Sequence, residues 1–277
     1  MNEQKVWFIT GASRGMGLEV ARAVLAKGGK VAGTSRHIEE LKKNISAAAD
    51  CFLPLQLDIT SDEAVKAGIA RCVETFGRID VVLNNAGYYL AGSIEAISDE
   101  EFRKTIEVNL FGTVNVTRHA LPHLRAQQSG HIINISSNMG YIGYANTGSY
   151  NAAKFAVIGL SEALAQEVQP FGIKVTVVAP GMFRTGFMTS DTLAVAQNDI
   201  KPYGLQQHVA MLQSFSGHQP GDPRKLAEVL YHISQMEQPP LHLPLGTDSY
   251  ASILAHRQAE AAELAQWENL SRSTDFA

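Results

Sequence analysis

The stretch KVWFITGASRGMGLEVARAVLAKG, residues 5–28, decides the fold of this chain. It begins as an apolar run typical of a buried strand and ends as a helix with apolar residues at helical spacing. Between them, Gly11, Gly15 and Gly17 allow backbone amides to approach a pyrophosphate, and the following helix offers its positive N-terminal end. The spacing is GxxxGxG, not the GxGxxG of other dinucleotide-binding folds. A glycine-rich turn alone also suits a plain strand-to-helix connection, but its flanking strand and helix favour dinucleotide binding.

Outward from this unit, strand-like and helix-like segments alternate along the chain. The further strand-like segments are KVAGTSR (30–36), CFLPLQLD (51–58), RIDVVLNNAG (78–87), the apolar run from His131, KVTVVAPG (174–181) and LHLPLG (241–246). This alternation predicts an α/β doubly wound fold with a parallel sheet. Two pairs, Thr60 with Glu63 and Ser98 with Glu101, are spaced as capping boxes, and the second begins a long helix that ends near Gln127.

Composition limits the chain to one large domain. Its 277 residues are 45% hydrophobic and 18% charged, enough to bury roughly three quarters of the unfolded surface. A net charge of −4 with interspersed signs excludes an electrostatic nucleic-acid or membrane partner. Cys51 and Cys72 suit a reducing cytosol, so we expect a cytoplasmic protein. Because the first residues lead straight into a strand, no signal peptide is expected, and no apolar run is long enough to span a membrane.

A second stretch, HIINISSNMGYIGYANTGSYNAAK (131–154), carries the candidate chemistry. A strand end and a helix start bring Ser137, Tyr150 and Lys154 together, and the last two share one helix face. A free phenol has a pKa of about 10, and a nearby ammonium favours its ionised form. The spacing therefore predicts a proton-transfer tyrosine with a lowered pKa. A lone YxxxK pattern is also common as surface residues of an ordinary amphipathic helix.

Together with the glycine turn, this stretch resembles the short-chain dehydrogenase/reductase family of the classical type, over residues 5 to about 246. The resemblance implies a Rossmann-type sheet of seven parallel strands in the order 3-2-1-4-5-6-7. It implies that Ser137, Tyr150 and Lys154 form the active site. Asn109 completes the tetrad by kinking its helix and holding a water linked to the lysine. A small-molecule carbonyl or alcohol substrate and a homo-oligomer, dimer or tetramer, are implied as well.

The end of the second strand indicates which nicotinamide cofactor is preferred. An NAD-binding protein usually has an acid there, whereas this chain has Ser35 followed by Arg36, with Arg14 in the glycine turn. Two guanidinium groups suit the 2′-phosphate of NADPH. The alternative is that both arginines are solvated surface charges, with Glu39 or Glu40 pairing Arg36.

The resemblance also assigns the remaining cofactor contacts. Asp58 and Ile59 would meet the adenine, although Asp58 fits equally well as a helix-entry residue. The NNAG segment would line the cofactor, and the PGxxxT segment would touch the nicotinamide. The expected cofactor-binding set is Gly11, Ser13, Arg14, Gly15, Met16, Gly17, Ser35, Arg36, Asp58, Ile59, Asn85, Ala86, Gly87, Tyr150, Lys154, Pro180, Gly181, Phe183 and Thr185. Arg184 would be a salt-bridge partner or a substrate contact.

Residues 186–221 form the longest stretch without a clear period, which is typical of an active-site lid. With the catalytic loop they predict an apolar substrate pocket. Its expected members are Met139, Tyr141, Tyr144, Phe187, Met188, Leu193, Tyr203, Met211, Leu212 and Phe215. The alternative is that the residues of this list simply pack the lid helices. Residues 248–277 are expected to form a C-terminal helical extension, which Trp267 docks on the body or on another subunit.

The predicted function is reduction of a mainly apolar ketone or aldehyde by NADPH, with Tyr150 as the general acid. Within the reductases, the apolar lid also suits a steroid- or retinoid-type hydroxyl dehydrogenase. Other classes that remain are an NADPH-sensing protein without turnover and a lyase or epimerase that uses the cofactor within one cycle. No metal is expected, because two cysteines and scattered histidines, His119 and His123 included, offer no ligand cluster.

Overall fold

The computed structural model describes residues 4–189 and 193–276, so residues 190–192 of the expected lid and Ala277 of the extension lie outside the described residues. Seven parallel strands form the central sheet. They are β1 (Val6–Ile9), β2 (Lys30–Ser35), β3 (Phe52–Gln56), β4 (Val81–Asn84), β5 (Gly130–Ile135), β6 (Ile173–Pro180) and β7 (His242–Leu245). Their order is β3-β2-β1-β4-β5-β6-β7, which confirms the predicted single-domain α/β fold.

Helices connect the strands and cover both faces of the sheet. They are α1 (Gly15–Ala26), α2 (Ile38–Asn44), α3 (Asp62–Phe76), α4 (Asp99–Ile106), α5 (Gly112–Gln127), α6 (Gly148–Val168), α7 (Leu205–Ser214), α8 (Pro223–Gln235), α9 (Thr247–Gln266) and α10 (Glu268–Arg272). A π-helical turn, Glu107–Phe111, joins α4 to α5. In the described part of the chain, no helix is both long enough and apolar enough to cross a membrane.

The core lies on both faces of the sheet because its strands are apolar at nearly every position, as parallel sheets require. Side chains alternate between the faces. Trp7 and Ile9 pack in one cluster with residues of α1 and α8, whereas Phe8 packs in a second cluster with residues of α3 and α5. These three side chains of β1 are fully buried. The sheet is therefore a rigid platform, and the ends of its strands hold the loops at its carboxyl edge.

Two helix starts were predicted from capping boxes, and one prediction is wrong. At α4, Ser98 accepts the amide N–H of Glu101, whose carboxylate in turn accepts the amide of Ser98, as predicted. At α3, the N-cap is Ser61, not Thr60. The Thr60 hydroxyl instead donates to the Asp58 carboxylate, so the helix begins one residue later than the predicted box.

The segment 186–221 packs over the carboxyl edge beside the sheet. Within its described part, Ala194–Val195 pairs with the short strand Leu90–Ala91, and α7 follows. The residues of the expected C-terminal extension form α9 and α10. The Trp267 side chain is 50% exposed, and its docking on the body or on another subunit stays a prediction.

Candidate active site

A cavity of about 530 Å³ opens where β5 and β6 end at the carboxyl edge. Such an edge is where open α/β sheets bind ligands. The cavity walls include Tyr150, Lys154 and Ser137, which α6 and the loop after β5 supply. The expected cofactor contacts that also line it are Met16, Asn85, Gly87, Pro180, Gly181, Phe183 and Thr185.

The three predicted catalytic side chains meet at one wall of this cavity. Tyr150 is 5% exposed and Lys154 is 4% exposed. The Lys154 ammonium lies 5.6 Å from the centroid of the Tyr150 ring and donates to the carbonyl of Ile135 at 3.0 Å. The Ser137 hydroxyl lies in the same wall, where it donates to the Asn138 side-chain oxygen and accepts the Met139 amide, both at 3.1 Å. Tyr150 and Lys154 are therefore buried members of one cluster with Ser137, not surface residues of an ordinary amphipathic helix.

Burial shifts the pKa values of this cluster. It raises the pKa of the Tyr150 phenol, while the neighbouring Ser137 hydroxyl acts in the opposite direction. Burial also lowers the pKa of the Lys154 ammonium to about 8. The expectation that Lys154 lowers the phenol's pKa is wrong for this structure, because withdrawal of the phenol from water is the larger effect. Tyr150 therefore stays protonated at neutral pH.

Asn109 lies behind the cavity, in the π-helical turn. Its side-chain amide donates to the carbonyls of Tyr88 and Thr105, both at 3.0 Å, and its oxygen accepts the Tyr88 amide at 3.2 Å. A side chain at Gly87 would meet this oxygen and also approach the Lys154 ammonium. π-turns are frequent at functional sites, and this one replaces the simple kink that was expected at Asn109.

The glycine turn has the shape that a bound pyrophosphate requires. Gly11 and Gly15 have positive φ values of 66° and 59°. A Cβ on Gly17 would lie 2.5 Å from both the Gly11 carbonyl oxygen and the Asn85 side chain, so only glycine fits. Helix α1 has no side-chain cap and no acidic residue in its first turn. Its N-terminal amides are thus available to an anion, and the turn fits a dinucleotide.

The two arginines expected at the 2′-phosphate are exposed. Neither Arg14 nor Arg36 forms an ion pair with another residue that the structure describes. The alternative partners are engaged elsewhere, since Glu39 pairs with Lys42 and Glu40 accepts from the buried Ser13 hydroxyl. Both guanidinium groups can therefore turn toward a phosphate.

Three further expected contacts have intramolecular roles at the ends of β2 and β3. Asp58 accepts the amide and the hydroxyl of Thr60 through one oxygen, which supports the helix-entry alternative and leaves the second oxygen for a ligand. The Ile59 carbonyl accepts from Asn115 at 3.1 Å. The Ser35 hydroxyl oxygen accepts the amide of His37.

The NNAG segment fastens β4 to β1. The Thr10 hydroxyl oxygen accepts the amides of Asn85 and Ala86 at 2.9 and 3.0 Å, and the Asn85 side chain donates to the Thr10 carbonyl at 2.9 Å. The buried Asn84 side chain donates to Asn134 on β5 at 2.8 Å. These bonds hold the sheet edge against which a cofactor would lie.

The expected substrate pocket is largely present. Met139, Tyr144, Phe187 and Met188 line the cavity, joined by apolar residues of α7 and its end, Met211, Leu212 and Phe215. Tyr141 does not line it, because its hydroxyl bonds His242 and its ring faces Arg257. Arg184 does not line the cavity, and it forms no ion pair with another residue that the structure describes.

The Arg184 guanidinium instead donates to the Gln219 carbonyl at 3.3 and 3.1 Å, and its backbone amide donates to Gly221. It therefore fastens the end of the segment 186–221 to the loop after β6.

Several polar cavity residues were missed in the sequence, Tyr89, Gln219 and Asp248 among them. Tyr89 stacks near Tyr150, with ring centroids 4.9 Å apart, and its hydroxyl is 3.0 Å from His208 Nε2 on α7. Gln219 and Asp248 also line the cavity. Asp248 follows the seventh predicted strand by two residues, a position that the carboxyl-edge rule could have singled out. Gln219 carries no such signal.

Among the residues that the structure describes, no group of three potential metal ligands comes together. His119 lies 2.7 Å from an oxygen of Asp62, which also pairs with Arg118. It therefore belongs to a surface ion-pair cluster on α3 and α5.

Comparisons with known proteins agree with this geometry. The family profile described as short chain dehydrogenase matches residues 5–195. The oxidoreductase BOA17 of Botryotinia fuckeliana is 37% identical over 268 residues, 96% of this chain and 98% of that protein. A solved short-chain dehydrogenase from Streptomyces avermitilis is 37% identical with a TM-score of 0.90, covering 98% of this chain and 100% of its own. The structure of ElxO with NADP bound is 29% identical, with a TM-score of 0.74 over 90% of this chain and 99% of its own.

Proposed function

The chain belongs to the short chain dehydrogenase family of oxidoreductases, and from that premise we propose that it reduces a ketone or aldehyde to an alcohol with NADPH. The observation that carries the proposal is the buried cluster of Ser137, Tyr150 and Lys154 on one cavity wall. A protein that only sensed the cofactor would not need a serine hydroxyl in the same cavity wall as a buried, protonated phenol. This pair of hydroxyl groups is suited to a substrate oxygen.

In the proposed reaction, the hydroxyl groups of Ser137 and Tyr150 hydrogen-bond the substrate's carbonyl oxygen. NADPH, when bound at this edge, supplies the hydride that the carbonyl carbon accepts. Tyr150 then gives its proton to the oxygen as the general acid, since its raised pKa keeps the phenol protonated at neutral pH. Lys154 is placed to hold the nicotinamide ribose, and Asn109 orders the backbone behind it.

The cofactor would be held by three groups of residues along the carboxyl edge. The glycine turn and the uncapped start of α1 suit the pyrophosphate. Arg14 and Arg36 suit the 2′-phosphate, which is why we propose NADPH over NADH. The loop from Pro180 to Thr185 would contact the nicotinamide. The NADP that ElxO binds supports NADP(H) binding in this chain.

The apolar cavity supports a mainly apolar small-molecule substrate, with residues 186–221 as the lid over it. The same wall composition favours a steroid- or retinoid-type hydroxyl dehydrogenase as the second candidate. We further propose a homo-oligomer and a cytoplasmic location.

The proposal is tested by oxidation of NADPH, and separately of NADH, across aliphatic, aromatic, keto-ester and steroid carbonyls. We expect turnover with NADPH preferred, one NADPH consumed for each alcohol formed, and the best substrate to report the pocket's size. Tight NADPH binding without turnover of any carbonyl would indicate the sensor instead. Product formation without net NADPH consumption would indicate a lyase or an epimerase.

A further inference from the structure

Two buried side-chain oxygens of the cavity residues have no hydrogen-bond partner within residues 4–189 and 193–276. They are Gln219 Oε1 and Asp248 Oδ1. Buried polar groups in folded proteins are nearly always paired, so an unpaired acceptor requires an explanation. Neither side chain has a role in the proposed proton transfer. Because both residues line one cavity, a ligand that enters it is a source for the missing donors.

Asp248 is held in a fixed position. It lies at the start of α9, immediately beyond β7, and its other oxygen accepts the Met182 amide at 2.7 Å. A side chain at Gly181 would collide with its carboxylate, and a Cβ at Gly246 would lie 2.6 Å from Oδ1. Glycine at both positions leaves the carboxylate the space that it occupies. No cationic side chain in the described part of the chain forms an ion pair with it.

Gln219 is held just as firmly from the opposite side of the loop after β6. It is 2% exposed, and its backbone carbonyl accepts both hydrogen bonds from the Arg184 guanidinium. The neighbouring Gly221 exchanges backbone hydrogen bonds with Met182 and Arg184. Gln219 and Asp248 are thus anchored to the same short loop, Gly181–Arg184, by independent contacts.

The remaining wall is largely apolar, and two of its other polar side chains, Tyr89 and His208, are hydrogen-bonded to each other. Met139, Phe187, Met188, Leu212 and Phe215 offer a ligand no hydrogen bond beyond backbone groups. A ligand that is apolar throughout would leave both oxygens unpaired, whereas one with a donor group would satisfy them. A site built to hydrogen-bond a donor discriminates strongly against the analogue that lacks it.

We propose that Asp248 and Gln219 form a subsite that recognises a hydrogen-bond donor on the substrate, away from the reacting carbonyl. The substrate class is a hydroxy- or amino-substituted ketone or aldehyde with an otherwise apolar skeleton. Hydroxyl and ammonium groups share the donor chemistry, and the carboxylate adds charge attraction for the ammonium. The inference rests on the proposed carbonyl reduction and narrows its substrate.

The test uses three ketones of one carbon skeleton that carry a hydroxyl, an amino or a methyl group at the same position. We expect wild-type kcat/KM to favour one donor-bearing ketone over the methyl ketone by at least about tenfold. Asp248→Asn keeps an oxygen for the Met182 amide but places an N–H donor at the unpaired position. It should abolish that preference and leave the methyl ketone within about threefold of wild type. The donor-bearing ketone whose kcat/KM falls more in Asp248→Asn identifies the recognised donor as a hydroxyl or an ammonium group.

Gln219→Leu should weaken the preference in the same direction. Gln213→Leu is the matched control, because Gln213 is an exposed residue of α7 that does not line the cavity. It should leave all three ketones unchanged. An equal preference among the ketones in wild type, with turnover intact, would overturn the subsite but not the proposed reduction.

A thermal-shift measurement of the binding of the same ketones to NADPH-loaded protein separates the proposed subsite from the proposed reduction. A donor preference in binding that Asp248→Asn removes would support the subsite even if no ketone were turned over. A uniform rise of the NADPH dissociation constant in Asp248→Asn, with unchanged ketone discrimination, would assign Asp248 to the cofactor and overturn the subsite.

Discussion

Burial sets the protonation states of the two central residues of the site. Tyr150 and Lys154 are both almost fully buried, and in each case the charged form is the one that loses hydration. Burial therefore keeps the phenol protonated and brings the deprotonation of the ammonium into an accessible pH range. The Tyr150 phenol therefore keeps its proton to a higher pH than the Lys154 ammonium does. Deprotonation of Lys154 should limit activity at high pH.

Lys154 should give the pH profile of reduction its alkaline limb. Its pKa is lowered to about 8, so the ammonium is present below that pH and is lost above it. We expect kcat/KM for NADPH-dependent reduction to fall above a pH of about 8, measured with a good carbonyl substrate from pH 5 to 10. The raised pKa of Tyr150 places its ionisation beyond this limb.

Lys154→Arg is the control for that assignment. A guanidinium stays charged throughout this range, so the variant's lower residual activity should show no decline near pH 8. A wild-type profile that is flat to pH 10, or the same limb in the arginine variant, would contradict the role of the lysine.

The substitution Gly17→Ala adds one carbon atom to the glycine turn and tests whether the turn has room for it. The added Cβ would lie 2.5 Å from the Gly11 carbonyl oxygen, so the variant should lose about 1–3 kcal/mol of unfolding free energy and bind NADPH more weakly. Gly159→Ala is the control, because a Cβ there meets nothing within 4 Å in the middle of α6. It should gain up to about 1 kcal/mol. Urea unfolding and NADPH titration that fail to separate the two variants would refute this account.

At the residue scale, the sequence predicts which side chains meet but not what surrounds them. The four-residue spacing of Tyr150 and Lys154 correctly predicts a shared helix face. It does not predict that burial outweighs the effect of the lysine on the phenol. Gln219 was not predicted because its position depends on the backbone contacts of Arg184, which no local pattern encodes.

At the scale of elements, the π-turn between α4 and α5 is the most specialised feature. Asn109 in this turn makes three hydrogen bonds with the backbone of Tyr88 and Thr105. Those bonds attach the helix to the loop after β4, immediately behind Gly87 and the Lys154 ammonium. The turn thus links helix geometry to the position of a catalytic side chain.

Asn109→Leu should damage both stability and activity. It strands buried backbone groups, and each unpaired group costs about 1–3 kcal/mol, so we expect a loss of at least about 2 kcal/mol of unfolding free energy. We expect kcat to fall by more than tenfold under conditions where the variant is folded. Ser98→Ala removes the cap of the same helix and should cost about 1 kcal/mol with unchanged kcat. Full activity in folded Asn109→Leu would contradict the link.

Element boundaries were predicted well where a cap and an apolar run agree, as at Ser98. The box at Thr60 was wrong because Asp58 competes for the Thr60 hydroxyl, leaving Ser61 as the cap. The π-turn was expected only as a kink, since no periodicity distinguishes one inserted residue in a helix. The lid's short strand pairs with a distant segment and has no local signal.

For the whole molecule, the strand order followed from the resemblance, and every strand of the central sheet lies where the pattern predicted it. The edge strands β3 and β7 each contain a proline, Pro54 and Pro244, which discourages further strand addition. The C-terminal extension was predicted as helix, but its packing was not. Only Ser249 and Ile253 of α9 are buried. The Ala-rich sequence of this helix does not separate an apolar from a polar face, so it does not indicate a docking face.

The positive charge at the adenosine end of the cofactor site should decide whether the protein prefers NADPH or NADH. Arg36→Ala should reduce the NADPH-to-NADH preference in kcat/KM by at least about tenfold, because a charge-assisted hydrogen bond contributes about 1.5–3 kcal/mol. Its effect on NADH should be small. Arg22→Ala is the control, since Arg22 is tied to Asn44 and Glu19 on the surface of α1. Equal losses with both cofactors in Arg36→Ala would contradict the 2′-phosphate assignment.

The central claim is that Tyr150 is the proton donor in a carbonyl reduction. The most direct measurement compares Tyr150→Phe with wild type in single-turnover reduction of the best carbonyl, alongside NADPH titration of both proteins. The account predicts a loss of turnover of at least about a thousandfold, as expected for removal of a general acid, with the NADPH dissociation constant within about threefold of wild type. Activity of Tyr150→Phe within tenfold of wild type would contradict it.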